Sequence, residues 1–162
     1  MLVSAVAAGL LVGLAFGGDV KRIASIRVRW FALLLVAFAL RLLGGVPLGE
    51  ANQRLSYVIS LFILVAFTLV NWKVTAAPLA TIGIALNAIV VALHQGAMPV
   101  SSQAIELGGF RGAGDALHIA TADASPFGDV IPIPPFGIYS VGDLLLASAA
   151  FIFVVDSMRA TK

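Results

Sequence analysis

Few side chains in this 162-residue chain could do chemistry, and their spacing narrows what that chemistry would be. Ser140–Val141–Gly142–Asp143 has the S-x-x-D spacing of a helix capping box. The serine hydroxyl would accept the N–H of Asp143, and the carboxylate would reach back to the N–H of Ser140. A carboxylate in a first helical turn also suits the positive end of the helix dipole. That role accounts for Asp143 without any reaction. Asp129 has no such role, because it stands alone between Phe127, Gly128, Val130 and Ile131. It either fixes a turn through its own backbone or pairs with Arg41, Arg54 or a histidine, Arg41 first and His94 second. His94 and His118 complete the titratable set. One acid and one histidine are the minimum for proton transfer. Two histidines and an acid could bind a metal, but these share no ligand spacing, so no metal site is assigned. A haem or chlorophyll on His94, at a helix end, is the weaker alternative, because no facing apolar run supplies a paired axial histidine. For each histidine a hydrogen-bonded structural role is the simpler reading. No catalytic residue can be named. Arg41, Asn87, His94, Met98, Asp129 and Asp143 are the candidate lining of one polar pocket.

The elements that must position these residues are apolar helices. The chain is 60% hydrophobic and 11% charged, with a mean hydropathy of +1.06. A bilayer core about 30 Å thick needs roughly 20 mainly apolar helical residues. Five spans are read at about 2–18, 28–43, 55–72, 76–94 and 140–158, leaving a long segment at 95–139. Three approach that length, the first sits at the lower limit, and the second borrows residues from its flanks. The expected fold is all-α: one integral membrane domain over 1–162, a polytopic transmembrane bundle of five spans capped by an extended outer loop. Seven of the 10 basic residues (Lys21, Arg22, Arg27, Arg29, Lys73, Arg159 and Lys162) then fall on one side. Arg54 and Arg111 fall on the other. The excess marks the cytoplasmic face, so the N-terminus lies outside and the C-terminus inside. Both histidines, Asp129 and Asp143 share the outer face. The net charge of +2 is therefore a topology signal, and no nucleic-acid partner is expected. With no cysteine, disulfides, thiolate metal sites and cysteine nucleophiles are excluded.

The first run has its basic cluster after it and no positive region before it, which favours a retained span over a cleaved signal peptide. Gly9, Gly13 and Gly17 form a helix-packing stripe along one face, where a second helix can approach closely. The turn at 19–29 alternates bases with Val20, Ile23, Ile26 and Val28, as either a short amphipathic segment on the inner leaflet or a tight basic loop. Arg41 is expected to snorkel to the headgroups, with an ion pair inside the bundle as the alternative. Pro78 suits a first helical turn, and Asn87, mid-helix, is expected to hydrogen-bond a neighbouring helix. Within 95–139, the stretch 108–115 is glycine-rich and expected to be mobile. It is no phosphate loop, because no GK[ST] follows. Pro132, Pro134 and Pro135 forbid a regular helix. The loop is expected to fold over the outer helix ends, burying Phe127, Ile131 and Phe136 and bringing Asp129 and Asp143 into one polar pocket.

Four blocks occur in an order that resembles a family of small, uncharacterised bacterial multi-pass membrane proteins. They are Gly17–Gly18 with the basic turn to Trp30, then Leu86–Asn87 leading to Gly96–Ala97–Met98–Pro99–Val100–Ser101. Gly128–Asp129–Val130–Ile131–Pro132 and Ser140–Val141–Gly142–Asp143 complete the order. The resemblance implies a bacterial cytoplasmic membrane location and no activity. The leading expectation is a non-enzymatic accessory or assembly subunit, or a partner-binding module, with the bilayer and other membrane protein subunits as partners. The alternative is a ligand-binding or catalytic site at the outer face. Transport ranks last, because no inverted repeat and no mid-membrane acid is present. No cofactor is predicted; a bound lipid is allowed.

Overall fold

Helix α1, Leu2–Ala15, stops where two glycines follow, and Gly17 takes a φ of +77°, a left-handed turn that a Cβ would strain. The computed structural model describes residues 1–44, 46, 49–110 and 114–159. Asp19 then caps a short 3-10 turn, Val20–Ser25, by accepting the Lys21 N–H at 2.9 Å. The basic segment is thus a tight turn that becomes extended at Ile26.

Four long helices follow or close the chain: α2 (Phe31–Gly44), α3 (Glu50–Val70), α4 (Ala77–Leu93) and α6 (Val141–Arg159). Pro78 sits in the first turn of α4, where its missing N–H has no partner to lose. Helix α3 begins five residues before its apolar run. Its polar first turn is held by an Arg54–Glu50 ion pair of 3.3 Å. Two helices, α3 and α6, are long and apolar enough to cross a membrane, each with a mean hydropathy of 1.8. Helices α1, α2 and α4 are apolar but run only 14, 14 and 17 residues.

Neighbouring helices pack in the order α1, α6, α4, α3, α2. Small residues set the two tightest seams. A Cβ on Gly83 of α4 would lie 2.6 Å from the Gly142 carbonyl of α6, so the two backbones touch there. A Cβ on Gly9 would lie 3.0 Å from the Val154 Cβ, and one on Gly13 would strike the Met158 sulfur. Gly9 and Gly13 are therefore buried packing positions of α1 on α6. Gly17 is not. It lies beyond the helix end with open space around it, because α1 terminates before the stripe completes its third turn. Gly18 takes the contact instead, with Met158 2.8 Å from its would-be Cβ. The apolar core gathers Tyr57, Leu61, Ile84, Ala88, Val91 and Met98 between α3, α4 and the segment that follows α4.

That segment is more structured than an extended loop. It holds β1 (Met98–Ser101), α5 (Ser102–Gly108), β2 (Gly114–Asp115), β3 (His118–Thr121), β4 (Ile131–Ile133) and β5 (Gly137–Tyr139). Strand β3 lies between β1, to which it is parallel, and β2, to which it is antiparallel; β4 and β5 form a separate hairpin. The prolines exclude a helix as expected, and Pro132 is carried in the hairpin opposite Ile138. Arg111 lies outside the described residues, as do the rest of 111–113 and Lys162, so the mobility expected at 108–115 is not described at its centre. Burial differs from expectation. Ile131 is half-buried in its strand, but Phe127 and Phe136 lie in turns and are 49% and 68% exposed.

Candidate functional site

The N-terminus of α6 is closed by the capping box that its sequence announces. Ser140 Oγ accepts the Asp143 N–H at 3.0 Å, and Asp143 Oδ2 accepts the Ser140 N–H at 3.2 Å. Asn87, one helix away, joins this cap with both ends of its amide. Its Nδ2 donates to Asp143 Oδ1 at 2.9 Å, and its Oδ1 accepts the Ser140 hydroxyl at 2.8 Å. Gly142 makes room for that amide, since a Cβ there would overlap Asn87 Oδ1. Asn87 and Ser140 are buried, at 7% and 0% exposure, and Asp143 is half-buried. A buried amide with both functions used resists separation of α4 from α6, because parting them would strand a carboxylate and a hydroxyl.

Asp129 arrives from the cap. Its N–H donates to the Pro99 carbonyl at 2.9 Å, and its own carbonyl accepts the Ser101 N–H at 2.9 Å, so it pairs with the free edge of β1. Gly128 permits this, because a Cβ there would lie 2.6 Å from the Pro99 oxygen. The backbone zipper drives the side chain inward, leaving Asp129 only 6% exposed. Its Oδ1 is buried with no hydrogen-bond partner among the described residues. Burial, reinforced by the charge of Asp143 and partly offset by His118, pushes the carboxyl from 3.8 up to about 7.

The expected partners of Asp129 are engaged elsewhere. The Arg41 guanidinium lies 4.4 Å from the centroid of the Tyr57 ring, a cation–π contact that holds an exposed arginine against a buried aromatic face. His94 is exposed at the C-terminus of α4, with Nδ1 2.7 Å from the Val90 carbonyl. Met98 is 2% exposed and packs in the apolar core. Of the six candidates, the structure hydrogen-bonds Asn87 to Asp143 and puts Asp129 within electrostatic reach of Asp143. It lays Arg41 over Tyr57, which also feels the charges of Asp143 and Asp129, and gives His94 and Met98 other neighbours. Tyr57 lies in the electrostatic field of Arg41, Asp143 and Asp129, yet its sequence context is that of any span residue. Only the register of α3 against α2 distinguishes it.

The other polar contacts secure the cap. Arg54 Nε donates to the Ala116 carbonyl at 3.1 Å. His118 Nδ1 lies 2.8 Å from Asp115 Oδ1 on the open side of the sheet. Burial raises the Asp115 carboxyl, but His118 and the Leu117 and His118 N–H groups outweigh it, and the net shift is below 3.8. Among the described residues, no three His, Cys, Asp or Glu side chains are placed to hold a metal ion.

At the opposite end, Asn71 clamps the basic turn to α3, accepting the Arg29 N–H at 2.8 Å and donating to the Arg29 carbonyl at 3.0 Å. Trp30 and Trp72, 63% and 51% exposed, each follow a residue of this clamp. No curated protein and no solved structure matches the chain. The sequence model of a family of unknown function, DUF5317, matches residues 23–155, which run from the basic turn through the cap and most of α6, and the chain belongs to that family.

Proposed function

We propose that this chain crosses a bacterial cytoplasmic membrane five times, N-terminus outside and C-terminus inside, as a non-enzymatic accessory or assembly subunit. Its outer cap is the surface that binds another membrane protein. The membrane reading is supported by where the apolar helices are exposed. The apolar windows of α3 and α6 are only 22% and 33% buried, whereas a core helix of a soluble domain would be mostly buried. Leu11, Phe38, Phe62 and Ile89 stand exposed on α1, α2, α3 and α4. Trp30 and Trp72 match the aromatic belt of a membrane–water interface. The shorter helices are accommodated by local thinning of the bilayer, at a fraction of a kcal/mol per Å of mismatch.

The observation that carries the subunit reading is apolar surface on the cap itself. Leu107, Phe127 and Phe136 are 71%, 49% and 68% exposed on the segment between α4 and α6. Leu107 closes α5, which packs against β4 and β5, the strands flanking Phe136. Apolar groups that gather into one exposed patch outside the hydrocarbon suit a protein contact. The glycine stripe of α1 supports no partner, because α6 of the same chain occupies it.

Purification of the full chain in mild detergent tests this. A stoichiometric membrane protein should accompany the wild type and be lost from a Phe127→Ser/Phe136→Ser variant. Isolation of the chain alone, or a companion indifferent to those changes, rules the subunit reading out. A ligand site at the outer face has one observation in its favour, the unpartnered Asp129 Oδ1. Under that reading Asp129→Asn removes ligand binding, while under the subunit reading it changes stability and spares partner capture.

A further inference from the structure

The described cavities include a crevice of about 470 Å³ between α2, α3, α4 and α6, near the end that carries Trp30 and Trp72. Small residues create it: Ala77 and Ala80 of α4 and Ala149 and Ala150 of α6 leave space that Phe31 and Phe67 do not fill. Its two polar lining side chains present no free polar groups to an occupant. The Thr68 hydroxyl donates to the Leu64 and Val65 carbonyls, and the Asn71 amide is engaged with Arg29 and the Phe67 carbonyl. The exposed wall is hydrocarbon. A second recess, of about 250 Å³, adjoins the crevice and shares Val74, Ala76 and Phe153 with it. Lys73, Thr75, Asp156 and Ser157 line this recess. Lys73 and Asp156 make no ion pair with each other or with any other described residue.

We propose that crevice and recess together bind one phospholipid with a zwitterionic primary-amine headgroup, phosphatidylethanolamine in chemical class. An acyl chain occupies the alanine-lined crevice. The phosphate sits against Lys73 and the headgroup ammonium against Asp156. Opposite charges facing one recess without pairing suit a ligand that carries both signs. An anionic lipid would set its charge against Asp156. A choline headgroup has no N–H to give that carboxylate. The position agrees with the lysine at a membrane interface, where phosphate is available. This inference rests on the membrane reading above.

The full chain, reconstituted with equal amounts of ethanolamine, choline and glycerol phospholipids of identical acyl chains, is extracted gently. The lipid it retains is then identified by native mass spectrometry. The ethanolamine lipid should be retained in preference, near one per chain. Asp156→Asn should lower that preference about tenfold, and Lys73→Gln should lower retention of all three lipids about tenfold, each the loss of one charge-assisted hydrogen bond. Both positions are exposed, so these variants keep the fold. Ala150→Phe should remove retained lipid of every headgroup. Equal retention of the three lipids, or preference for the anionic one, overturns the proposal. So does a preference that survives Asp156→Asn. If alkaline carbonate strips the chain from membranes, the membrane reading fails; if it stays inserted but ignores headgroup, only the lipid assignment fails.

Discussion

Asp129 is the residue at which stability and pH meet. Its carboxyl ordinarily titrates at 3.8 and is raised to about 7 by burial and by Asp143. Across that window the folded chain keeps a proton that the unfolded chain releases. Stability is therefore highest at the acid end, falls as pH rises from about 4 to about 7, and levels off above. Asp115, held below 3.8, acts beneath this window and in the opposite sense. Thermal unfolding in detergent across the range should show the slope in the wild type and lose it in Asp129→Asn; a slope unchanged in that variant would sink the assignment. Asn87→Ala should cost about 1–3 kcal/mol, because it strands the Ser140 hydroxyl and one oxygen of Asp143. A melting temperature equal to that of the wild type would mean that water replaces the amide at no loss.

At the scale of elements, the glycines decide which helices can touch. Gly13→Leu should separate α1 from α6, because Met158 already occupies the space a side chain would need. The expected result is a lower melting temperature in detergent with α1 more open to protease. An unchanged melting temperature would mean that the seam adds nothing. Gly142→Ala should be worse than its size suggests, since the added methyl meets the Asn87 amide and the Gly83 carbonyl together. Helix propensity alone favours alanine at that position, so loss of stability there isolates the close approach as the cause.

For the whole molecule, the proposed topology puts the cap outside and the basic turn inside. A C-terminal reporter should be active only in the cytoplasm, and one inserted beside Thr121 in the cap only outside. A C-terminal fusion active outside the cytoplasm would reverse the orientation. The chain's helices follow one another in space as α1, α6, α4, α3 and α2, so the last helix lies between the first and the fourth. The cap is consequently tied to the helices at both of its ends. It is also tied through Arg54 and through the core contact of Met98. A partner seated on Phe127 and Phe136 would thus press on the same cap segment that carries the buried Asp129.

Local chemistry was legible in the sequence where it depends on neighbours along the chain. The capping box at Ser140–Asp143, the helix start at Pro78 and the apolar character of each long helix all follow from residue type and short spacing. Asn87 as a link between helices was readable too, since an amide among apolar residues needs a partner. The identity of that partner was not, because Asp143 is 56 positions away and only the α4–α6 crossing brings it near. Arg41 and Asp129 have opposite charges, and the sequence makes them natural partners. Tertiary packing instead laid the arginine over Tyr57 and zipped Asp129 onto β1, leaving its Oδ1 without a partner among the described residues. The cap shows the same division. Its prolines excluded a long helix, but strands pair through backbone groups that every residue carries, so sequence alone could not say that β3 would lie between β1 and β2. Composition determined what must leave water. Only the packed chain decided which polar groups would leave it together.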